Sequence, residues 1–374
     1  MKKKILILYA QYGSGHKSIA EYVAKYIIEH NKKSEVMVLD MTSYANFPGK
    51  VGVNIMKLVA KHRPEKLFDF CYTASNHKLT AKSSTKLGIK SYDNKELRKI
   101  IRDFDPDVCI SSHFYCSNII TYYNKLGIIK SKLITIITDY HSHEIWTINH
   151  KVEDAYVVSN EVIKKDMIRR GIPKKKIFAF GLPLLANKDL VSKEVIKRKY
   201  NIRNNKKVVL FFGGSSSGSM YYYNYLKTFI KNNIDCNLIF VSGHNEKLRL
   251  RAQNLIDKEQ VPDALILGYT NDVANLLKIS DYVISKPGGA TVTECLEYKV
   301  PMILVPGVGG QEKHNARFVV KNKYGYYARS KYGFSCILDV IERSPKILQN
   351  IEARLNIQHE NKSLEKINNL VKKI

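Results

Sequence analysis

The stretch Ser285-Lys286-Pro287-Gly288-Gly289-Ala290-Thr291-Val292-Thr293-Glu294 follows a short apolar run, Tyr282-Val283-Ile284, and enters a helix signal closed by Pro301. A strand, a glycine turn and a helix start bring free backbone N–H groups and a positive helix end up to an anion. Gly288 and Gly289 let the main chain approach a phosphate closely, because no Cβ stands between. Thr291 and Glu294 are three apart and share a helix face. A hydroxyl near a phosphate and a carboxylate reaching two vicinal ribose hydroxyls suit a nucleotide diphosphate. The same ten residues also fit an ordinary strand-to-helix turn.

Other residues point to related chemistry. Gln11-Tyr12-Gly13-Ser14-Gly15-His16 leads into a helix signal from Lys17 to Glu29. The third glycine of a dinucleotide fingerprint is missing, Ser18 standing in its place, so no nicotinamide site is expected. His16 falls in the first helical turn, where the positive helix end disfavours imidazolium and keeps the neutral imidazole that a general base needs. A capping or packing role is the alternative. Gly213-Gly214-Ser215-Ser216-Ser217-Gly218 follows another apolar run and forms a second anion cradle. It lacks the Gly-Lys-Ser/Thr of a nucleoside triphosphatase loop. The turn Gly307-Val308-Gly309-Gly310 delivers Gln311, Glu312 and Asn315, an amide, an acid and an amide suited to a polyhydroxylated ligand. Tyr269, at the end of an apolar run, can stack on a base.

Two series of buried parallel strands must position these groups. The first comprises Ile5 to Tyr9, Val36 to Asp40, Val108 to Ser111, Leu133 to Ile137 and Tyr156 to Val158, closing near Gly181-Leu182-Pro183. The second comprises Lys207 to Phe212, Leu238 to Gly243, Ala264 to Thr270, Tyr282 to Ile284 and Met302 to Pro306. In such sheets ligands bind at the carboxyl ends of strands, where Ser112, His113, Thr138, Asp139, His141 and His143 fall. The expected domains are 1–185 on the acceptor and membrane side, 186–345 for the nucleotide, and 346–374 as a closing helix packing back on the first. Asp103-Phe104-Asp105 imitates a metal-binding pair of acids but ends a helix and enters a strand from the wrong end, so it reads as a solvated turn. His141, His143 and His150 lack the carboxylate or cysteine spacing of a metal site, and no metal is expected.

Composition bounds the partners. The 374 residues carry a formal net charge of +27, from 61 basic and 34 acidic residues. That excess points to nucleic acid, an anionic membrane surface or acidic substrates, or to a basic proteome with no partner at all. No RNA-binding signature, zinc finger or arginine-rich arm supports nucleic acid. Six cysteines without a CxxC pair suggest free thiols in a reducing cytosol. Met1 to Ala10 reads as a first strand and not a signal peptide, and no stretch approaches the roughly 18 apolar residues of a membrane span. Between Met41 and His77, apolar residues including Phe47 and Met56 are interleaved with basic ones including Lys57. The pattern fits an amphipathic helix lying on lipid, or one covering a domain core.

His16 after Gly-Ser-Gly, SKPGGATVTE and PGVGGQEKHNA together resemble one glycosyltransferase family. It includes the monogalactosyl- and glucosyl-diacylglycerol synthases and, more distantly, the lipid-intermediate N-acetylglucosaminyltransferase of peptidoglycan assembly. QYGSGHKSIA, ISSHF, TDYHSHEIW and KPGGATVTE are most similar to the diacylglycerol branch. The resemblance covers nearly the whole chain and implies an α/β GT-B fold, two Rossmann-like β/α domains facing a central cleft. It implies transfer of glucose or galactose from a UDP-sugar co-substrate to diacylglycerol, with inversion and without a metal or other cofactor. By this resemblance Gly15 is among the residues that bind the UDP-sugar and His16 lies near the reaction centre, with Asp139 orienting the base. Gly213, Gly214 and Ser215 match the second glycine loop, Tyr269 and Thr270 meet the uracil, and Gly288, Gly289 and Thr291 the diphosphate. Glu294 meets the ribose, and Gln311, Glu312 and Asn315 the sugar hydroxyls. Phe47, Met56, Lys57, His113 and Trp146 are expected on the acceptor and membrane side, on the inner face of the cell membrane. Phe114 stands where a proline often follows the histidine, and Ala290 where a larger aliphatic residue is usual, which bears on acceptor fit. A GlcNAc transferase acting on a polyprenyl diphosphate and a non-catalytic UDP-sugar sensor or membrane adaptor are the alternatives.

Overall fold

The computed structural model describes residues 2–11, 14–62, 65–185, 191–214, 220–307, 309–357 and 360–374. Two compact units divide the chain, one of Met1–Leu58, Lys66–Leu185 and Asn361–Ile374, the other of Val59–Glu65 and Ala186–Glu360.

The first unit is built on β1 (Lys3–Tyr9), β2 (Ser34–Asp40), β3 (Val108–Ser111), β4 (Lys132–Ile136), β5 (Ala155–Val157) and β6 (Ile177–Phe178). They form one sheet in the order β2-β1-β3-β4-β5-β6, and every pair is parallel. Ile5, Leu6, Ile7 and Leu8 are all buried, the continuous apolar run of a strand covered on both faces. Helix Ser14–His30 lays Ile19, Val23 and Ile27 on one face. The other face is covered by Leu97, Ile101, Ile119 and Tyr123.

The second unit carries β7 (Lys207–Phe212), β8 (Cys236–Val241), β9 (Ala264–Leu267), β10 (Tyr282–Ser285), β11 (Met302–Leu304) and β12 (Gly325–Tyr327). Their order is β12-β11-β10-β7-β8-β9, again all parallel. Each sheet therefore has a switch point where strand order reverses, between β1 and β3 in the first unit and between β7 and β10 in the second. Crevices outside the strand ends at such points are where open α/β sheets bind ligands.

Two expectations need correction. The segment 346–374 does not pack as one piece. Helix Lys346–Asn356 sits in the second unit and sends Leu348 into its core, whereas Ser363–Lys373 lays Leu364, Ile367 and Val371 on the first. The single amphipathic helix expected between Met41 and His77 is a 3₁₀ turn, Met41–Tyr44, and two helices, Phe47–His62 and Glu65–Ala74. A further helix, Lys78–Tyr92, follows with Leu79 and Leu87 exposed. No described helix is long and apolar enough to cross a membrane.

Candidate functional site

In the first unit, the end of β1 leads to Gly15 and His16 at the start of helix Ser14–His30, and the end of β3 leads to Ser112 and His113. The His16 Nδ1 lies 2.7 Å from the Ser112 carbonyl oxygen and 3.2 Å from the Thr138 hydroxyl. A carbonyl only accepts, so Nδ1 carries the ring proton and Nε2 keeps a bare lone pair. Ser112 Oγ donates back to the His16 carbonyl at 2.9 Å, locking the two turns together. Burial lowers the His16 pKa to about 4, and the bond to Ser112 only partly offsets it. The imidazole is therefore neutral at physiological pH, as its place in the first helical turn requires.

Asp139 does not orient this ring. Among the described residues, His16 meets Ser112, Thr138 and the edge of the His113 ring, whose centroid is 4.7 Å away. Thr138, one residue earlier, takes the place expected of Asp139. The Asp139 charge bears instead on Tyr72, whose phenol is pushed up first by burial and then by that carboxylate.

His113 caps helix Phe114–Lys125, its Nδ1 accepting from the Tyr115 N–H at 3.2 Å. Burial, and then His16, hold its pKa well below the usual range. It packs against Phe114 and Tyr115 and is 3 % exposed, so it belongs to the interior and not to a lipid-facing surface. Trp146 is likewise 6 % exposed, edge-on to Phe114 in a cluster with Ile137, Ile145 and Tyr156. It is a core residue and cannot anchor a membrane. Phe47 does lie open, 81 % exposed, with Phe70 70 % and Leu79 80 % exposed on neighbouring helices. Met56 and Lys57 lie in helix Phe47–His62, but their side chains fall outside the described residues.

The three histidines near β4 are held by hydrogen bonds. His143 caps Glu144–Thr147 through Nδ1 and reaches the Tyr72 carbonyl with Nε2 at 3.0 Å. His141 Nδ1 lies 3.2 Å from the Tyr72 hydroxyl, and His150 Nδ1 2.9 Å from the Thr147 carbonyl. Asp103 pairs with Lys99 at 2.5 Å, and Asp105 closes helix Lys95–Phe104 in the left-handed region at φ 48°. That turn enters β3 from its amino end, away from the strand ends that carry His16 and His113.

In the second unit, β10 delivers the glycine turn to helix Gly289–Glu297, and β11 delivers a second turn to helix Gln311–Lys321. Gly288 and Gly310 are the N-caps, and neither supplies a side-chain cap. Elsewhere Asn94, Asn160, Ser192 and Asn245 cap helices with side-chain oxygens. The start of helix Gly289–Glu297 thus keeps first-turn amides and a positive dipole end for an anion. At the start of helix Gln311–Lys321, by contrast, the Glu312 N–H donates to the Gly309 carbonyl at 3.2 Å.

These two starts are tied to each other. Lys286 Nζ forms an ion pair with Glu312, which is 8 % exposed. Asn315, wholly buried, donates from Nδ2 to the Pro287 carbonyl at 3.1 Å. Glu312 and Asn315, expected on sugar hydroxyls, are therefore struts of the glycine turn, and of that trio Gln311 stands half-buried at the helix start. Gly307 makes the ion pair possible, since a Cβ there would lie 1.8 Å from Glu312 Oε2.

Glu294, half-buried, has no hydrogen-bond or ion-pair partner for its carboxylate among the described residues. Burial raises its pKa to about 7. Thr291, one turn before it, is half-buried at the same helix start. Thr270 accepts from the Asp272 N–H at 3.0 Å and shapes the turn after β9. Beside it Tyr269 is 61 % exposed and stacks on His244, centroids 4.1 Å apart. His244 was not foreseen; its signal was a histidine in the turn after β8. Gly213 has a packing reason as well, because a Cβ would meet Phe240 Cζ at 2.5 Å. Gly214 follows in the left-handed region at φ 80°, and Ser215 lies outside the described residues.

Comparison with known proteins bears on both halves. Residues 16–184 match the family described as Monogalactosyldiacylglycerol (MGDG) synthase, and residues 208–374 the Glycosyltransferase family 28 C-terminal domain. A "Processive diacylglycerol beta-glucosyltransferase" of Bacillus pumilus is 29 % identical over 97 % of this chain and 91 % of its own length. Among solved structures, Acinetobacter baumannii MurG superposes with a TM-score of 0.61 at 11 % identity, covering 100 % of both chains. Staphylococcus aureus MnaA bound to UDP gives 0.67 at 13 % identity, covering 99 % of this chain and 96 % of that one. At such identities the structures speak for the GT-B fold alone. With an MGDG-synthase-type first half joined to a family 28 second half, the chain belongs to the diacylglycerol glycosyltransferases.

Proposed function

We propose that this enzyme transfers glucose from UDP-glucose to the free hydroxyl of diacylglycerol with inversion, His16 acting as the base. The observation that carries the reading is the bond from His16 Nδ1 to the Ser112 carbonyl, which leaves Nε2 free to take a proton. The acceptor oxygen attacks the anomeric carbon as its proton passes to Nε2. The bond from that carbon to the diphosphate breaks, and UDP leaves as the anion. A positioned base contributes about 10²- to 10⁴-fold.

The second unit serves the donor. The amides at the start of helix Gly289–Glu297 receive the charge of the departing diphosphate, so that no metal is needed for it. Glu294 accepts from the ribose hydroxyls, the partners its carboxylate otherwise lacks. Tyr269 presents a ring to the uracil, and Gln311 an amide to the hexose. The relatives' name, β-glucosyltransferase, supports glucose as the sugar and inversion of an α-linked donor. Exposed Phe47, Phe70 and Leu79, with Lys50, Lys78 and Lys82 also exposed, support peripheral attachment to an anionic membrane, on its cytoplasmic side.

The test is chromatographic separation of lipid products after incubation with diacylglycerol and labelled UDP-glucose, UDP-galactose or UDP-GlcNAc. Label in a glucosyl-diacylglycerol from UDP-glucose is the expected result. Product only with UDP-GlcNAc and a polyprenyl diphosphate acceptor, or no UDP release at all, would overturn it.

A further inference from the structure

Beneath the His16 turn runs a chain of buried polar groups that the reaction itself does not use. Ser111, Thr135 and Tyr156 are register partners across β3, β4 and β5, so their side chains form a row on one sheet face. Ser117, in the first turns of helix Phe114–Lys125, sits over the row. Glu153, 1 % exposed, ends it. Four contacts link these groups in series. Glu153 Oε2 lies 2.6 Å from Thr135 Oγ1, Thr135 Oγ1 3.0 Å from Ser117 Oγ, and Ser117 Oγ 3.0 Å from Ser111 Oγ. Ser111 Oγ then donates to the His113 carbonyl at 2.7 Å.

Four hydrogen bonds need four protons, and the three hydroxyls supply three. If Glu153 were ionised, the three hydroxyl protons could fill only three of the four contacts, and one of them would be oxygen against oxygen with no hydrogen between. A protonated Glu153 donates to Thr135, Thr135 to Ser117, Ser117 to Ser111 and Ser111 to His113, and every contact is filled. We infer that Glu153 is a neutral carboxylic acid that completes a one-way hydrogen-bond chain, and that it positions the Ser111–His113 turn whose Ser112 carbonyl aims His16.

The surroundings agree. Burial raises the Glu153 pKa to about 8 despite Thr135, Tyr156 and Lys176, which favour the charged form, while Asp154 opposes it. Lys176 spends its ammonium on the carbonyls of His150, Lys151 and Glu153, the last at 2.6 Å. His150 is engaged with the Thr147 carbonyl. Burial above all holds the Tyr156 phenol well above its ordinary value, so it stays neutral.

The role of this positioning residue rests on His16 being the base, whereas its protonation does not. Infrared spectroscopy of the whole enzyme at neutral pH reads the protonation directly. The C=O stretch of a protonated carboxyl should be present in Glu294→Gln, absent when Glu153→Gln is added to that variant, and lost from Glu294→Gln as pH rises past 8. A spectrum without that band, or one that Glu153→Gln leaves unchanged, overturns the inference. In turnover, Thr135→Val and Glu153→Leu should each lower kcat about 3- to 10-fold, the rate equivalent of one hydrogen bond, with the KM for UDP-glucose unchanged. Glu153→Gln, whose amide still donates to Thr135, should recover most of that loss and remove the fall in kcat above pH 8. Undiminished kcat in the well-folded Thr135→Val variant, or an alkaline fall that survives Glu153→Gln, refutes the positioning role. Failure of the enzyme to glucosylate diacylglycerol would sink the proposed reaction while leaving the infrared result standing.

Discussion

Replacing Glu294 by glutamine separates donor binding from fold stability, because the two effects have opposite signs. The carboxylate has no protein partner, and burial raises its pKa from 4.5 to about 7. Between those values the folded protein binds a proton that the unfolded chain has released, so apo stability falls as pH rises through this window. The full cost above pH 7 is at most about 3 kcal/mol, from 2.5 pH units at 1.36 kcal/mol each. Glu294→Gln removes the titration and should raise the apo melting temperature at pH 8 while changing little at pH 5. Donor binding should move the other way. A carboxylate accepting from the ribose contributes about 1.5–3 kcal/mol, so the KM for UDP-glucose should rise roughly 10-fold or more. In wild type that KM should also rise by up to about 10-fold per unit as pH falls below 7, and in Glu294→Gln the dependence should flatten. Calorimetric melts and initial rates across pH 5–8 provide the assay. A variant that is no more stable at pH 8, or that keeps the wild-type acid dependence of KM, would refute the reasoning.

Other perturbations follow from the same contacts. Gly307→Ala would drive a methyl group into Glu312 and break its pair with Lys286. UDP affinity measured by titration calorimetry should fall while His16 chemistry at saturating donor is preserved, and unchanged affinity would contradict the strut role. Phe47→Ser should weaken binding to anionic vesicles, steeply so at raised salt, without lowering the melting temperature. Trp146→Ala, a core truncation, should cost about 3–5 kcal/mol of stability in a denaturant titration, and its effect on vesicle binding should appear only through unfolding.

Much of this was legible in the sequence, for identifiable reasons. Parallel strands buried on both faces appear as unbroken apolar runs, so β1, β7 and β8 stand out, and glycines beside them mark the turns at the strand ends. β12 was not legible, because Gly325-Tyr326-Tyr327 carries no apolar run and is a strand only through its pairing with Met302–Leu304. Position along the chain put Ser112, Thr138 and Asp139 together at the strand ends. It could not reveal that a backbone carbonyl and a threonine, and not the carboxylate, meet His16. Side-chain type suggested sugar contacts for Glu312 and Asn315, yet burial assigned them to holding the glycine turn. Trp146 and His113 misled for the same reason, since an aromatic or histidine near a lipid-handling segment looks alike in sequence whether it faces inward or outward.

The central claim is that a neutral His16, aimed by the Ser112 carbonyl, removes the acceptor proton. Single-turnover transfer from UDP-glucose to diacylglycerol by His16→Ala, with UDP affinity measured on the same sample, tests it most directly. The account predicts a chemical step slowed about 10²- to 10⁴-fold with UDP affinity intact; a variant that transfers glucose at the wild-type rate would contradict it.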